Sequence, residues 1–80
     1  MNENLEKYTS VFAHFFAIPA GEVQSLTYQG ISKWDSVGHM GLMSAIEEAF
    51  DIMLEPDDII DFSSFAKGQE ILASKYDVAF

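Results

Sequence analysis

Three separate stretches of this 80-residue chain repeat apolar residues at helical spacing, and that pattern narrows the possible folds more than any other feature. Leu5, Tyr8, Phe12, Phe15 and Phe16 recur at i, i+3, i+7, i+10 and i+11, which predicts an amphipathic helix capped by Asn2 or Asn4. A helix begun at Asp35 or Ser36 puts Leu42, Met43, Ile46, Ala49 and Phe50 on one side by the 3.6-residue period. Phe65, Leu72 and Tyr76 share a face of a last helix, capped by Ser63 or Ser64 and running to about Tyr76. The expected fold is all-α: a small antiparallel bundle of three main helices plus one short helix, in a single domain over residues 1–80 with its core at about 5–76. A domain this small buries only about 60% of its unfolded surface, and seven phenylalanines make a core feasible. The chain has no cysteine, which excludes a disulfide framework and a thiolate metal site.

The connections are less regular. The first helix should end near Ala17–Ile18, because Pro19 disfavours helical geometry before it and Gly21 follows. Pro19 to Lys33 reads as a long ordered loop between helices 1 and 2, with one short helical turn and with Val23, Leu26, Tyr28 and Ile31 pinning it to the core. A loop of that length is unusual in a small domain. After the central helix, Ile52-Met53-Leu54 leads to Glu55-Pro56-Asp57-Asp58, a sequence suited to a helix start. A short helix is expected at Asp57 to Asp61, with Ile59, Ile60 and Phe62 directed inward. Gly68 weakens the last helix relative to alanine, and the tail Asp77 to Phe80, lacking a clear partner, should fray.

The formal net charge of −9 argues against nucleic acid and anionic membranes and favours basic partner surfaces. Glu47, Glu48, Asp51, Glu55, Asp57, Asp58 and Asp61 put seven acids in fifteen residues without a lysine or arginine. Such a run serves as a solvated face or as an electrostatic dock for basic patches. The ligand spacing of a calcium-binding EF-hand loop is missing, and no metal site is expected. The start Met1-Asn2-Glu3-Asn4 is polar and lacks a basic flank, and no apolar run is long enough to span a bilayer, so a cytoplasmic location is expected.

The central helix carries the functional signal. Ser44, Glu47, Glu48 and Asp51 lie opposite its apolar face, and Val37 and Met40 fall with this polar set. On a helical projection Met40 lies about 60° from Val37, whereas Leu42 and Ile46 lie about 140° and 180° away. Exposed apolar groups beside a polar face mark a docking surface. Ser36 lies in the first turn, where a phosphate attached to it would meet free N–H groups and the positive end of the helix dipole. A serine there also serves as an ordinary helix start. Asp35, Ser36 and His39 name the members of a hydrolytic triad, but Ser36 and His39 on one turn leave no room for an independent aspartate and an oxyanion hole. No catalytic residue is therefore assigned, and His39 is expected to be a partly buried structural residue. Trp34 is expected to be a packing anchor. Met40, Met43 and Met53 read as core filler, or as a source of interior plasticity.

Asp35-Ser36-Val37 resembles the Asp-Ser-Leu signature of acyl carrier proteins, and Ala45-Ile46-Glu47-Glu48-Ala49-Phe50 resembles the Ala-Leu-Glu-Glu-x-Phe run that follows it. The likeness covers roughly Leu5 to Tyr76, including a long first loop. It implies a 4′-phosphopantetheine arm attached covalently to Ser36, whose thiol holds acyl groups as thioesters. It implies a phosphopantetheinyl transferase as one partner, with acyl-loading, elongating or transferring enzymes bearing basic patches as others. Recognition would fall to Asp35, Val37, Met40, Glu47 and Glu48 on a monomeric carrier. Two departures matter: Gly38, His39 and Gly41 stand where the family often has acids or threonine, and Trp34 replaces the Gly-x of the commonest pattern. Trp-Asp-Ser is similar to discrete carriers of specialised pathways, including aminoacyl, peptidyl and polyketide types. An unmodified acidic helical interaction module is the alternative from another class.

Overall fold

Helix α1 spans Glu3–Phe16 in the computed structural model, which describes residues 3–80. Asn2, one of the two expected caps, lies outside the described residues. Asn4, the other, is inside α1, and its side-chain amide donates instead to the Ala79 carbonyl at 2.9 Å. The helix buries Tyr8, Phe12 and Phe16. Phe15 does not join them: it stays exposed at the margin of the stripe and packs its ring edge-on against Phe16. Ala17 closes the helix in the left-handed region at φ 56°, with the Ile18 N–H returning to Ala13.

The long connection that follows contains one 3-10 helix, Ala20–Ser25, and is then pinned to the far end of the chain. Tyr28 donates its N–H to Ser63, and Phe65 donates to Leu26, around a lone antiparallel bridge between Thr27 and Ser64. Val23 and Leu26 are buried as expected, Ile31 is half-buried, and Tyr28 stays exposed. Trp34 ends the connection fully buried, between Phe12 at 5.6 Å and Phe16 at 5.4 Å. Its role as a packing anchor is clear from those contacts.

Helices α2 (Ser36–Phe50), α3 (Pro56–Asp61) and α4 (Phe65–Lys75) complete an all-α fold with no strand among the described residues. Leu42, Met43 and Ile46 are α2's buried face, while Ala49 and Phe50 are half-buried. Asp51 terminates α2 in the left-handed conformation, φ 54°, a geometry its short side chain tolerates. Pro56 occupies the first turn of α3. Ser64 caps α4, its Oγ accepting from the Lys67 N–H at 2.9 Å.

Three expectations on this half of the chain fail. Ile60 is 77% exposed, because one helical turn cannot aim Ile59 and its neighbour the same way. Met53 is 83% exposed and fills no core space; Leu54 takes that place. The tail is docked, not frayed: Val78 is buried with its N–H on Leu72, and the Phe80 ring lies 5.5 Å from Tyr8 and 6.5 Å from Phe50.

Gly68 has a positive use. A Cβ there would collide with the Phe62 ring and the Tyr8 hydroxyl, so glycine lets α4 close on the core. The Tyr8 hydroxyl donates to the Phe65 carbonyl at 2.7 Å, and burial pushes its pKa far upward.

Candidate functional site

The start of α2 is built by the three residues before it. Asp35 adopts an extended backbone, φ −101° and ψ −169°, and its Oδ1 accepts the Gly38 N–H at 2.8 Å. Gly38 sits so close to the Lys33 carbonyl that a Cβ would overlap it, so the loop can cross the first turn only at a glycine. Lys33 reaches back with its ammonium to the Phe16 carbonyl at 3.2 Å, and Gln29 donates to Trp34 at 2.9 Å. The first helical residue, Ser36, is left exposed on this braced corner. The N–H groups of Ser36 and Val37 are directed out of the helix end, as in any α-helix.

His39, half-buried one turn on, joins three elements. Its Nδ1 accepts from the Trp34 indole at 2.9 Å, and its Nε2 donates to the Ile59 carbonyl of α3 at 2.7 Å. The indole ring lies nearly parallel to the imidazole, at 16°, and Tyr28 presents an edge at 5.3 Å. With both nitrogens engaged, neither is available as a base toward Ser36. Asp35 caps the helix through Oδ1 and is bonded to neither His39 ring nitrogen, so the three residues do not form a triad.

Beside Ser36 the α2 and α3 elements leave a mostly apolar groove of about 380 Å³, bounded by Tyr28, His39, Met40, Ile59, Ile60 and Phe62. Met40, 54% exposed, forms part of this groove's wall, and Val37, outside the lining, is 81% exposed. Of the three methionines read as core filler, Met43 alone, 1% exposed, belongs to the core; Met40 does not. Ile60 was expected inside and instead supplies part of the groove wall; the single-turn length of α3 was the available signal.

The acids divide into two groups. Glu47 is half-buried, and its carboxylate accepts the Leu54 N–H at 2.8 Å, holding the turn that leads to α3. Asp58 is buried, accepting from Lys75 at 2.7 Å and from the Tyr76 hydroxyl at 2.6 Å. The Lys75 ammonium holds the Asp58 carboxyl below its usual range, with the Tyr76 hydroxyl adding to the effect. Lys75 is pushed up by the same bond, while Tyr76 is pushed up first by its loss of solvent. Tyr76 also accepts the Glu55 N–H at 2.8 Å, so α3 is tied to α4 at two points. Glu48, Asp51, Glu55, Asp57 and Asp61 keep exposed side chains. Sequence spacing grouped Glu47 and Asp58 with these five, since the partner that removes each from solvent lies in another element.

All four lysines are engaged within the chain: Lys7 on the Ala49 carbonyl, Lys33 on that of Phe16, Lys67 beside Glu70 and Lys75 on Asp58. The exposed surface around α2 and α3 is therefore strongly negative with an apolar centre. Among the described residues no three His, Asp or Glu side chains converge to hold a metal ion, and no helix is long and apolar enough to cross a membrane. No family model, curated protein or solved structure matches the chain.

Proposed function

We propose that the chain is a carrier of acyl groups, modified on Ser36 and passed as a cytoplasmic monomer between enzymes. The observation that carries the reading is the exposed Ser36 at a capped helix start, opening onto an apolar groove. The residues fit a phosphopantetheine group: Ser36 offers an unhindered hydroxyl, and the outward N–H groups of the first turn favour an attached phosphate. When bound, 4′-phosphopantetheine supplies the thiol that this cysteine-free chain lacks, and that thiol holds the acyl group as a thioester. Asp35 braces the corner through Gly38, and Glu47 fixes the turn to α3, so both support the docking face from behind. Val37 and Met40 supply apolar contact, and Glu48 with the exposed acids of α3 supplies steering toward basic patches.

Incubation with coenzyme A and a phosphopantetheinyl transferase tests this by intact mass. The parent chain should gain one phosphopantetheine, and Ser36→Ala should gain none while keeping its helical circular dichroism. Modification that persists in Ser36→Ala refutes the assignment. A parent chain that is never modified supports the second reading, an unmodified acidic interaction module, which the exposure of Val37 and Met40 also favours.

A further inference from the structure

We infer that His39 is a proton-operated pin, whose protonation frees α3 from the start of α2 and places a charge in the groove beside Ser36. The Trp34 indole nitrogen can only donate a hydrogen bond, so His39 Nδ1, 2.9 Å away, must accept and carry no proton. The Ile59 carbonyl can only accept, so Nε2, 2.7 Å away, must carry one. One neutral tautomer satisfies both neighbours. In the imidazolium a second N–H at Nδ1 points directly at the indole N–H, and two donors cannot share that line.

One ring has to move, and the surroundings decide which. Trp34 is fully buried and held between Phe12 and Phe16. His39 is half-buried and already forms part of the groove wall. The charged imidazole gains water by turning into the groove, and the turn takes Nε2 away from Ile59. The bonds of Asp58 and Glu55 to Lys75 and Tyr76 join α3 to α4, and the Glu47 bond to Leu54 holds only the turn at the far end of α2, so none of them replaces the lost tether to the start of α2.

The groups around His39 offer the imidazolium no partner in its present place. Tyr28 faces it from the long connection as a neutral phenol edge. Asp35 is an exposed helix cap whose Oδ1 accepts the Gly38 N–H, the Lys33 ammonium is on the Phe16 carbonyl, and the Asp58 carboxylate is on Lys75 and Tyr76; none of them is bonded to the His39 ring. Asp61 on α3 is exposed, and neither ion pair found among the described residues includes His39. The pin acts in the unmodified protein; only its consequence for an occupant of the groove rests on Ser36 as an attachment point.

The test is therefore made on unmodified protein by NMR, lowering the pH from about 8 until the domain begins to unfold, and a His39 ring that takes no proton while the domain is folded overturns the inference. Ring protons of His39 and exposed His14 are followed separately, together with the Trp34 indole N–H and amide exchange at Asp58 and Ile59, both bonded to Glu55. As His39 titrates, the indole resonance should shift, and exchange at the two amides should quicken by roughly tenfold beyond its intrinsic pH dependence. His14→Gln should retain this response, and His39→Gln should lose it. An indole resonance that stays fixed while His39 titrates overturns the inference, as does unchanged protection of α3. The parent titration decides the matter even if His39→Gln fails to fold.

Discussion

Gly68→Ala sets two effects of opposite sign against each other. Glycine inside α4 costs about 1 kcal/mol relative to alanine through helix propensity, so propensity alone makes the substitution stabilising. The added Cβ, however, would overlap the Phe62 ring and the Tyr8 hydroxyl, and both side chains are fully buried. Overpacking of a closed core costs about 1–3 kcal/mol. If Tyr8 relieves it, its hydroxyl leaves the Phe65 carbonyl, and a buried donor without a partner costs about 1–3 kcal/mol. Because these are partly alternative responses, a combined loss of about 2–4 kcal/mol is reasonable, and the net effect is a destabilisation of about 1–3 kcal/mol. Since about 1 kcal/mol moves Tm by roughly 4–8 °C in a domain of this size, Tm should fall by roughly 5–20 °C. Thermal and urea unfolding followed by circular dichroism measure it. The same substitution should cost less in a Phe62→Leu background, where the ring that Cβ meets is gone. A Gly68→Ala protein that melts higher than the parent refutes the packing argument.

Met43→Ala should destabilise by about 2–5 kcal/mol because it empties core volume, whereas Met40→Ala, at 54% exposure, should move Tm little and slow modification or acylation by a partner. Glu47→Ala should lower stability by about 1–3 kcal/mol by freeing the Leu54 N–H, while Glu48→Lys should leave Tm nearly unchanged and weaken partner encounter in a salt-dependent way. Asp58 is a carboxyl with a lowered folded-state pKa, so its contribution is complete above the ordinary carboxylate range and is lost as pH falls through its folded value. Acid unfolding below about pH 4 should consequently be shallower in Asp58→Asn than in the parent, and equal slopes would contradict the role given to the Lys75 pair. Added salt should raise the parent Tm by screening the five exposed acids of residues 47–61, and a Tm independent of salt would count against it.

Period and punctuation made much of this architecture legible. The helical spacing located α1, α2 and α4, the Asp35 and Ser64 positions marked helix starts, and Pro56 marked the first turn of α3. The angular separation of Val37 and Met40 from Leu42 and Ile46 anticipated their exposure. What escaped were contacts between residues distant in the chain. Glu47 looked like a surface acid because the orphan N–H that it satisfies belongs to the following turn. Phe80 and Val78 have no period of their own and find their place only after α1 and α4 have met. His39 was readable as half-buried, but its bridge from Trp34 to Ile59 requires α3 to have folded beside it.

The docked tail brings Ala79 against the first turn of α1. Asn4 holds the Ala79 carbonyl at 2.9 Å across a separation of 75 residues, so the folded protein already has nearly ring-like closure. A covalent link between residues 4 and 79 would ask little rearrangement of the native state, while denying the unfolded chain most of its freedom between them. For a loop of this length that entropic restriction corresponds to about 4 kcal/mol of added stability. The same adjacency means that a chain inserted between two segments of another protein would enter and leave at one point, and its host would feel it as a side branch and not as a spacer.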